Sequence, residues 1–163
     1  MSKNISIIYL DRNKFDCILS HQVNLISYNF PPQIVKDFEV LNKDLLYSEI
    51  HAFITNNHLS PYPVIIILSN NVIFEKDLTV NKPDQISEET TLFLEKVPFE
   101  TVLHKTLKVN KKTIVVAANK IYLDLIKEAF EKDQCKILFI LPECLFGDLI
   151  SQKGLDTTVA KKI

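Results

Sequence analysis

The 163-residue sequence predicts an α/β domain: a mixed sheet in which an antiparallel β-meander is joined to parallel strands by crossover helices, with a small inserted lobe. Three observations predict it. The segments Ile5 to Leu10, Phe15 to Leu19 and Val23 to Phe30 are β-branched or alternating and are separated only by polar turns, as in a meander. The runs Val64 to Leu68 and Ile114 to Ala118 are apolar on both faces, which suits strands inside a sheet. Amphipathic helical patterns lie between segments of this kind.

Pro31-Pro32 ends the meander. Asn42 can cap a helix that carries Leu46, Ile50, Phe53 and Ile54 on one face, and Ser60-Pro61-Tyr62-Pro63 closes it before the strand at Val64. Asn70-Asn71 tolerates a left-handed turn, after which Val72 to Leu78 continues as a strand. Ser87 followed by Glu88-Glu89 marks the start of a short helix over roughly 88–96, because the hydroxyl can satisfy a free N–H and the acids face the positive end of the helix dipole. Pro98 breaks the apolar cluster, Thr101 to Val109 reads as a strand, and Asn110 to Thr113 as a turn into Ile114. Asn119 caps the clearest helix, with Tyr122, Leu125, Ile126, Ala129 and Phe130 on one stripe. Lys136 to Leu141 is the last buried strand, stopped by Pro142. The expected organisation is one domain over 1–147 with a lobe inserted at about 79–110, then a polar tail or linker over 148–163. The strands Val64 to Leu68, Ile114 to Ala118 and Lys136 to Leu141 are expected to be neighbours in one sheet.

Composition narrows the function. Hydrophobic residues make up 47% of the chain, enough for one sizeable core. Nineteen Lys plus Arg against twenty Asp plus Glu, scattered throughout, provide no concentrated basic field, so no nucleic-acid partner is expected. No apolar run exceeds five residues, the length of Val64 to Leu68, far below the ~20 residues that span a bilayer, and the start has no signal-peptide pattern, so a cytoplasmic location is expected. The three cysteines form no CxxC and the histidines have no metal-ligand spacing, so neither a metal nor a cofactor is expected.

The segments PPQIVKDFEVLNKDLLYSEIHAFI (31–54), VIIILSNNVIFEKDL (64–78), SEETTLFLEKVPFETV (87–102) and TIVVAANKIYLDLIKEAFEKDQCKILFILP (113–142) resemble, in order and spacing, the PilM and GspL cytoplasmic-domain family of the actin-like ATPase superfamily. These proteins belong to type IV pilus and type II secretion assembly. The resemblance covers residues 5–147. It implies an actin-like, ribonuclease-H-like mixed sheet and a first domain only, since the chain stops soon after Pro142. In PilM-like proteins ATP sits between two such domains. There the groove beside the inserted lobe receives a short segment of a membrane-anchored partner, while GspL-like proteins dock the assembly ATPase. The implied role is a non-catalytic scaffold, held at the inner face of the membrane through a partner or a downstream segment.

The residues themselves carry little catalytic signal. A phosphate loop after the first strand needs glycine so that backbone N–H groups can approach phosphate oxygens, and Asp11-Arg12-Asn13-Lys14 has none. A hairpin turn is the better reading than Asp11 holding a metal-bound water and Lys14 a phosphate. Gly147 and Gly154 are the chain's only glycines, so no Walker A loop or GxGxxG can be written. His21, His51, His58 and His104 stand singly, and Cys17 and Cys144 lack neighbours that would activate a thiol. An alternative is a metal-dependent nuclease on the ribonuclease-H topology, using Asp11 with Glu49, Asp124 or Glu128. Another is a degenerate, sugar-kinase-like nucleotide-binding remnant. The remaining signal is for binding: Phe93, Leu94, Val97 and Phe99 form an apolar cluster in a lobe too small to bury them all by itself, so they either pack on the main sheet or line a groove for a partner segment.

Overall fold

A five-stranded mixed sheet, in the spatial order Ile137–Pro142 (β10), Val64–Leu68 (β6), Ser6–Leu10 (β1), Lys14–Leu19 (β2) and Leu25–Asn29 (β3), forms the body of the molecule, and a three-stranded antiparallel sheet in the order Ile73–Leu78 (β7), Lys112–Asn119 (β9) and Val102–Val109 (β8) forms a lobe inserted into it. The computed structural model describes residues 5–19, 25–80 and 82–150. The meander is β1 (Ser6–Leu10), β2 (Lys14–Leu19) and β3 (Leu25–Asn29). The start of the third strand expected from Val23 lies outside the described residues. A two-residue hairpin pair follows, β4 (Val35–Lys36) and β5 (Glu39–Val40). Helix α1 (Lys43–Asn56) opens as expected, the Asn42 side chain accepting from the Leu45 N–H at 3.0 Å, and crosses over to β6 (Val64–Leu68). β6 runs parallel to β1 in a register that pairs Ile66 with Ile8.

The lobe comprises β7 (Ile73–Leu78), α2 (Pro83–Leu94), β8 (Val102–Val109) and β9 (Lys112–Asn119), so it extends on both sides of the 79–110 stretch. Helix α2 begins earlier than expected at Ser87. Pro83 takes its first position, where the missing N–H costs nothing and the ring presets φ. Ser87 therefore lies within the helix, its carbonyl accepting from the Thr91 hydroxyl at 3.0 Å. Ile114 to Ala118 does not neighbour Val64 to Leu68 as expected: it belongs to the lobe sheet. A two-residue turn with positive φ at Asn110 (48°) and Lys111 (68°) returns the chain directly from β8, pairing Val109 with Lys112, while β7 occupies the other edge of β9.

From β9 the chain enters α3 (Lys120–Lys132), capped by Asn119, and returns to the body as β10 (Ile137–Pro142), parallel to β6. On α3, Leu123 is buried alongside Tyr122, Ile126, Ala129 and Phe130, whereas Leu125 is only partly buried. β10 is not the buried strand its composition suggested. It is the sheet's edge, with a register shift between Ile137 and Phe139, and it leaves Phe139 58% exposed. A 3-10 segment, Glu143–Leu149, follows, and Ile150 is fully buried beyond it.

Helices α1 and α3 cover one face of the body sheet, where Ile8, Phe15, Ile66, Leu46, Ile50, Ile126 and Phe130 form one core. Phe15 is its hub, its ring centroid 5.3 Å from Tyr28, 4.8 Å from Phe53 and 5.9 Å from Phe130. The same core continues without a break into Ile73, Ile114, Val116 and Ala118 of the lobe. On the opposite face Ile7, Tyr9, Ile18 and Ile67 pack with Ile150.

Candidate functional site

A cleft of about 460 Å³ opens at the junction of lobe and body. Its aromatic walls come from three places in the chain: Phe38 from the β4-β5 turn, Phe74 from β7, and Phe99 from the loop after Pro98. Phe99 meets Phe38 at 5.8 Å and Phe74 at 5.5 Å, with interplanar angles of 75° and 78°. These rings stand as walls at right angles and do not stack. Phe38 also meets Tyr122 on the first turn of α3, at 6.4 Å and 77°.

The position of Phe38 is unusual. It has φ +68° and follows Asp37 at +48°, a left-handed pair that Asp tolerates and a bulky aromatic does not. The surroundings hold it there: the Asn119 side-chain amide donates to the Phe38 carbonyl at 3.2 Å while its oxygen accepts from the Tyr122 N–H, and the Arg12 guanidinium lies 5.1 Å from the Phe38 ring. One Asn thus caps α3 and clamps the turn. Strain maintained in this way at a cleft is a mark of functional sites.

Of the four residues expected to bind a partner, Phe99 lines this cleft, and Phe93, Leu94 and Val97 do not. Phe93, Leu94 and Phe99 are partly buried, and Val97 is buried. The lining aromatics Phe38 and Phe74 are far from Phe99 in sequence, so no local pattern marked them. A second, more apolar groove of about 310 Å³ lies between β8 and β10 and includes Leu103, His104, Leu107 and Leu145.

Asp11 is fixed at the strand ends of the body sheet. The segment Asp11 to Lys14 is a hairpin turn closed by the Asp11 N–H donating to the Lys14 carbonyl at 2.8 Å. The Asp11 Oδ1 accepts from the Arg12 N–H at 2.8 Å, the Ser69 hydroxyl at 2.9 Å and the Asn71 amide at 3.0 Å, so it ties the β1-β2 turn to the turn after β6. Burial pushes its pKa up, but those donors and the Lys14 charge outweigh it and hold the carboxyl below its usual value. Lys14 lies 3.5 Å from Asp16, which also accepts from Ser27 at 2.6 Å. Next to Asp11, Glu143 is buried and accepts from the Tyr9 hydroxyl at 2.8 Å and the Asn70 N–H at 3.0 Å.

The other acids of a two-metal arrangement are apart from Asp11. Glu49 accepts from the Tyr28 hydroxyl, Asp124 pairs with Lys120, and Glu128 pairs with Lys43. Among the described residues no three His, Cys, Asp or Glu side chains cluster as a metal site would require. His51 pairs with Asp133 at 2.6 Å, His58 follows α1, and His21 lies outside the described residues. Burial raises the Cys17 thiol to about 12 and the Cys135 thiol to about 11, and Cys144 is raised by burial and by Glu75. Each therefore stays protonated near neutral pH, the opposite of an activated nucleophile.

Meander, crossover helix, central strand, inserted lobe, second crossover helix and edge strand together define an α/β domain with a mixed sheet, a fold shared with solved assembly proteins. The chain is similar to the solved PilM-PilN type IV pilus biogenesis complex, with a TM-score of 0.58 and 16% identity over 85% of this chain and 47% of that one. It is also similar to the cytoplasmic domain of EpsL, an inner membrane component of the type II secretion system of Vibrio cholerae, with a TM-score of 0.50 and 12% identity over 85% and 57%. A Bacteroides thetaiotaomicron protein with an actin-like ATPase fold matches at a TM-score of 0.45 and 12% identity over 85% and 52%. The chain spans about half the length of these solved chains. No family model and no curated protein matches it. Among the described residues no helix is long and apolar enough to cross a membrane.

Proposed function

We propose that this chain is a non-catalytic cytoplasmic scaffold domain of the kind used in type IV pilus or type II secretion assembly, and that it captures a short segment of a membrane-anchored assembly protein or an assembly ATPase. The observation that carries this reading is the cleft at the lobe-body junction, walled by three aromatics and holding Phe99 partly exposed. A concave site with aromatic walls suits an extended segment whose side chains enter alternately. That a pilus biogenesis complex of PilM with PilN shares the fold supports a partner of this kind. The hairpin at Asp11 to Lys14, in place of a glycine loop, supports binding without ATP turnover.

Selection of displayed random twelve-residue peptides on the immobilised chain, with Phe99→Asp as the counter-target, tests the reading. Enriched peptides are expected to bind the chain and to lose Phe99→Asp, while Phe99→Asp keeps its far-UV circular dichroism and cooperative melting. Peptides that bind both proteins equally place the site elsewhere, and failure to enrich any peptide overturns the binding role. Calorimetric titration with Mg-ATP is expected to give no heat of binding. A Kd tighter than about 100 μM, or roughly 5.5 kcal/mol, argues for a nucleotide switch instead.

A further inference from the structure

We infer that the lobe-body cleft recognises a basic side chain, Arg or Lys, carried by the partner segment. This rests on the reading of the cleft as a partner site and adds the chemistry of what enters it.

Two features coincide there. Phe99 stands nearly perpendicular to both Phe38 and Phe74, at 75° and 78°, so the cleft wall presents aromatic rings side by side. The ring quadrupole attracts a cation set over its face. The rim carries three exposed carboxylates, Asp37, Glu39 and Glu100, against one guanidinium, Arg12. Among the described residues none of the three acids forms an ion pair, although eight pairs exist elsewhere on the molecule. Unpaired acids on a half-apolar cleft repel one another and attract a cation from outside.

The molecule already displays the contact in question. The Arg12 guanidinium lies 5.1 Å from the Phe38 ring centroid, at the cleft's edge. A guanidinium of the partner would use the Phe74 and Phe99 walls in the same way while the carboxylates of Glu39 and Glu100 meet its charge. The rigid turn that carries Asp37 and Glu39 on either side of Phe38 puts charge and ring in one fixed unit. With three carboxylates against one guanidinium, the rim favours a basic segment over a neutral or acidic one.

Two measurements test the inference. In the first, 15N-resolved NMR follows titration with N-acetyl-arginine methylamide and, separately, N-acetyl-glutamine methylamide. The arginine compound is expected to shift the amides of Asp37, Phe38, Glu39 and Glu100 and the glutamine compound to leave them in place. Equal shifts, or none, overturn the basic-residue inference whatever the peptide selection gives. In the second, peptides that depend on Phe99 are expected to contain Arg or Lys. Replacing that residue by Gln, or using the Asp37→Asn/Glu39→Gln/Glu100→Gln chain, should weaken binding about tenfold or more, most strongly at low salt. Phe99-dependent peptides that lack a basic residue and tolerate the triple substitution overturn the inference and leave the partner-binding reading standing. A selection with no Phe99-dependent peptide removes the cleft as the partner site and overturns this inference with it.

Discussion

Asp11 shows how one residue can be legible in type and position yet take a role set by its neighbours. Its place at the end of the first strand could be read from the sequence, and so could the hairpin. Besides the adjacent Arg12 N–H, two of its donors come from Ser69 and Asn71, about sixty residues away, and no local pattern announces them. Because its folded pKa lies below its unfolded value, Asp11 contributes stability that is present above the ordinary carboxylate pKa and is lost as pH falls through the lower folded one. Asp11→Asn is therefore expected to lower stability at pH 7 and to flatten the loss of stability on acidification, as measured by urea unfolding between pH 7 and pH 3. Tyr122 presents the opposite case. It is 2% exposed and its hydroxyl has no hydrogen-bond partner among the described residues, while burial and then the Asp11 charge push its pKa well up. Removing an unsatisfied buried hydroxyl relieves a desolvation cost, so Tyr122→Phe is expected to leave stability unchanged or raise it by about 1 kcal/mol in denaturant titration. A clear loss would mean that the hydroxyl holds a partner.

Single elements were mostly readable, and the failures have physical causes. The caps at Asn42 and Asn119 and the apolar stripes behind them marked the starts and inner faces of α1 and α3, because a cap and a periodic face are both local. Helix α2 was placed too late because a serine-acid pair resembles a start, and the proline four residues earlier outcompetes it by presetting φ. The β4-β5 pair was missed because four residues of strand carry no period. β10 was taken as interior on composition alone, and composition cannot distinguish the edge of a sheet from its centre. The β8-β9 turn makes a measurable prediction: Lys111 sits at φ +68°, a conformation that costs a β-carbon but not glycine, so Lys111→Gly is expected to stabilise the chain by roughly 0.5–1 kcal/mol, seen as a higher melting temperature.

At the scale of the whole molecule, the α/β class, the meander, the crossover helices and the presence of an insertion were legible. Which strands belonged to the insertion was not, because Val64 to Leu68 and Ile114 to Ala118 have the same apolar character and only the turn at Asn110-Lys111 decides that the second pairs with β8. The cleft was half legible: Phe99 was visible as an aromatic beside a proline in a small lobe, but the walls facing it are assembled by tertiary structure. The unbroken core from Ile126 and Phe130 through Val116 and Ala118 to Ile73 has a mechanical consequence for the cleft. Two walls anchored in one hydrophobic interior cannot hinge apart without exposing it, so the cleft works as a preformed mould and not as a jaw. Heating should melt lobe and body in a single transition with equal calorimetric and van't Hoff enthalpies, and an occupant at a hundred times its Kd should hold the entire domain together by about 2.7 kcal/mol more.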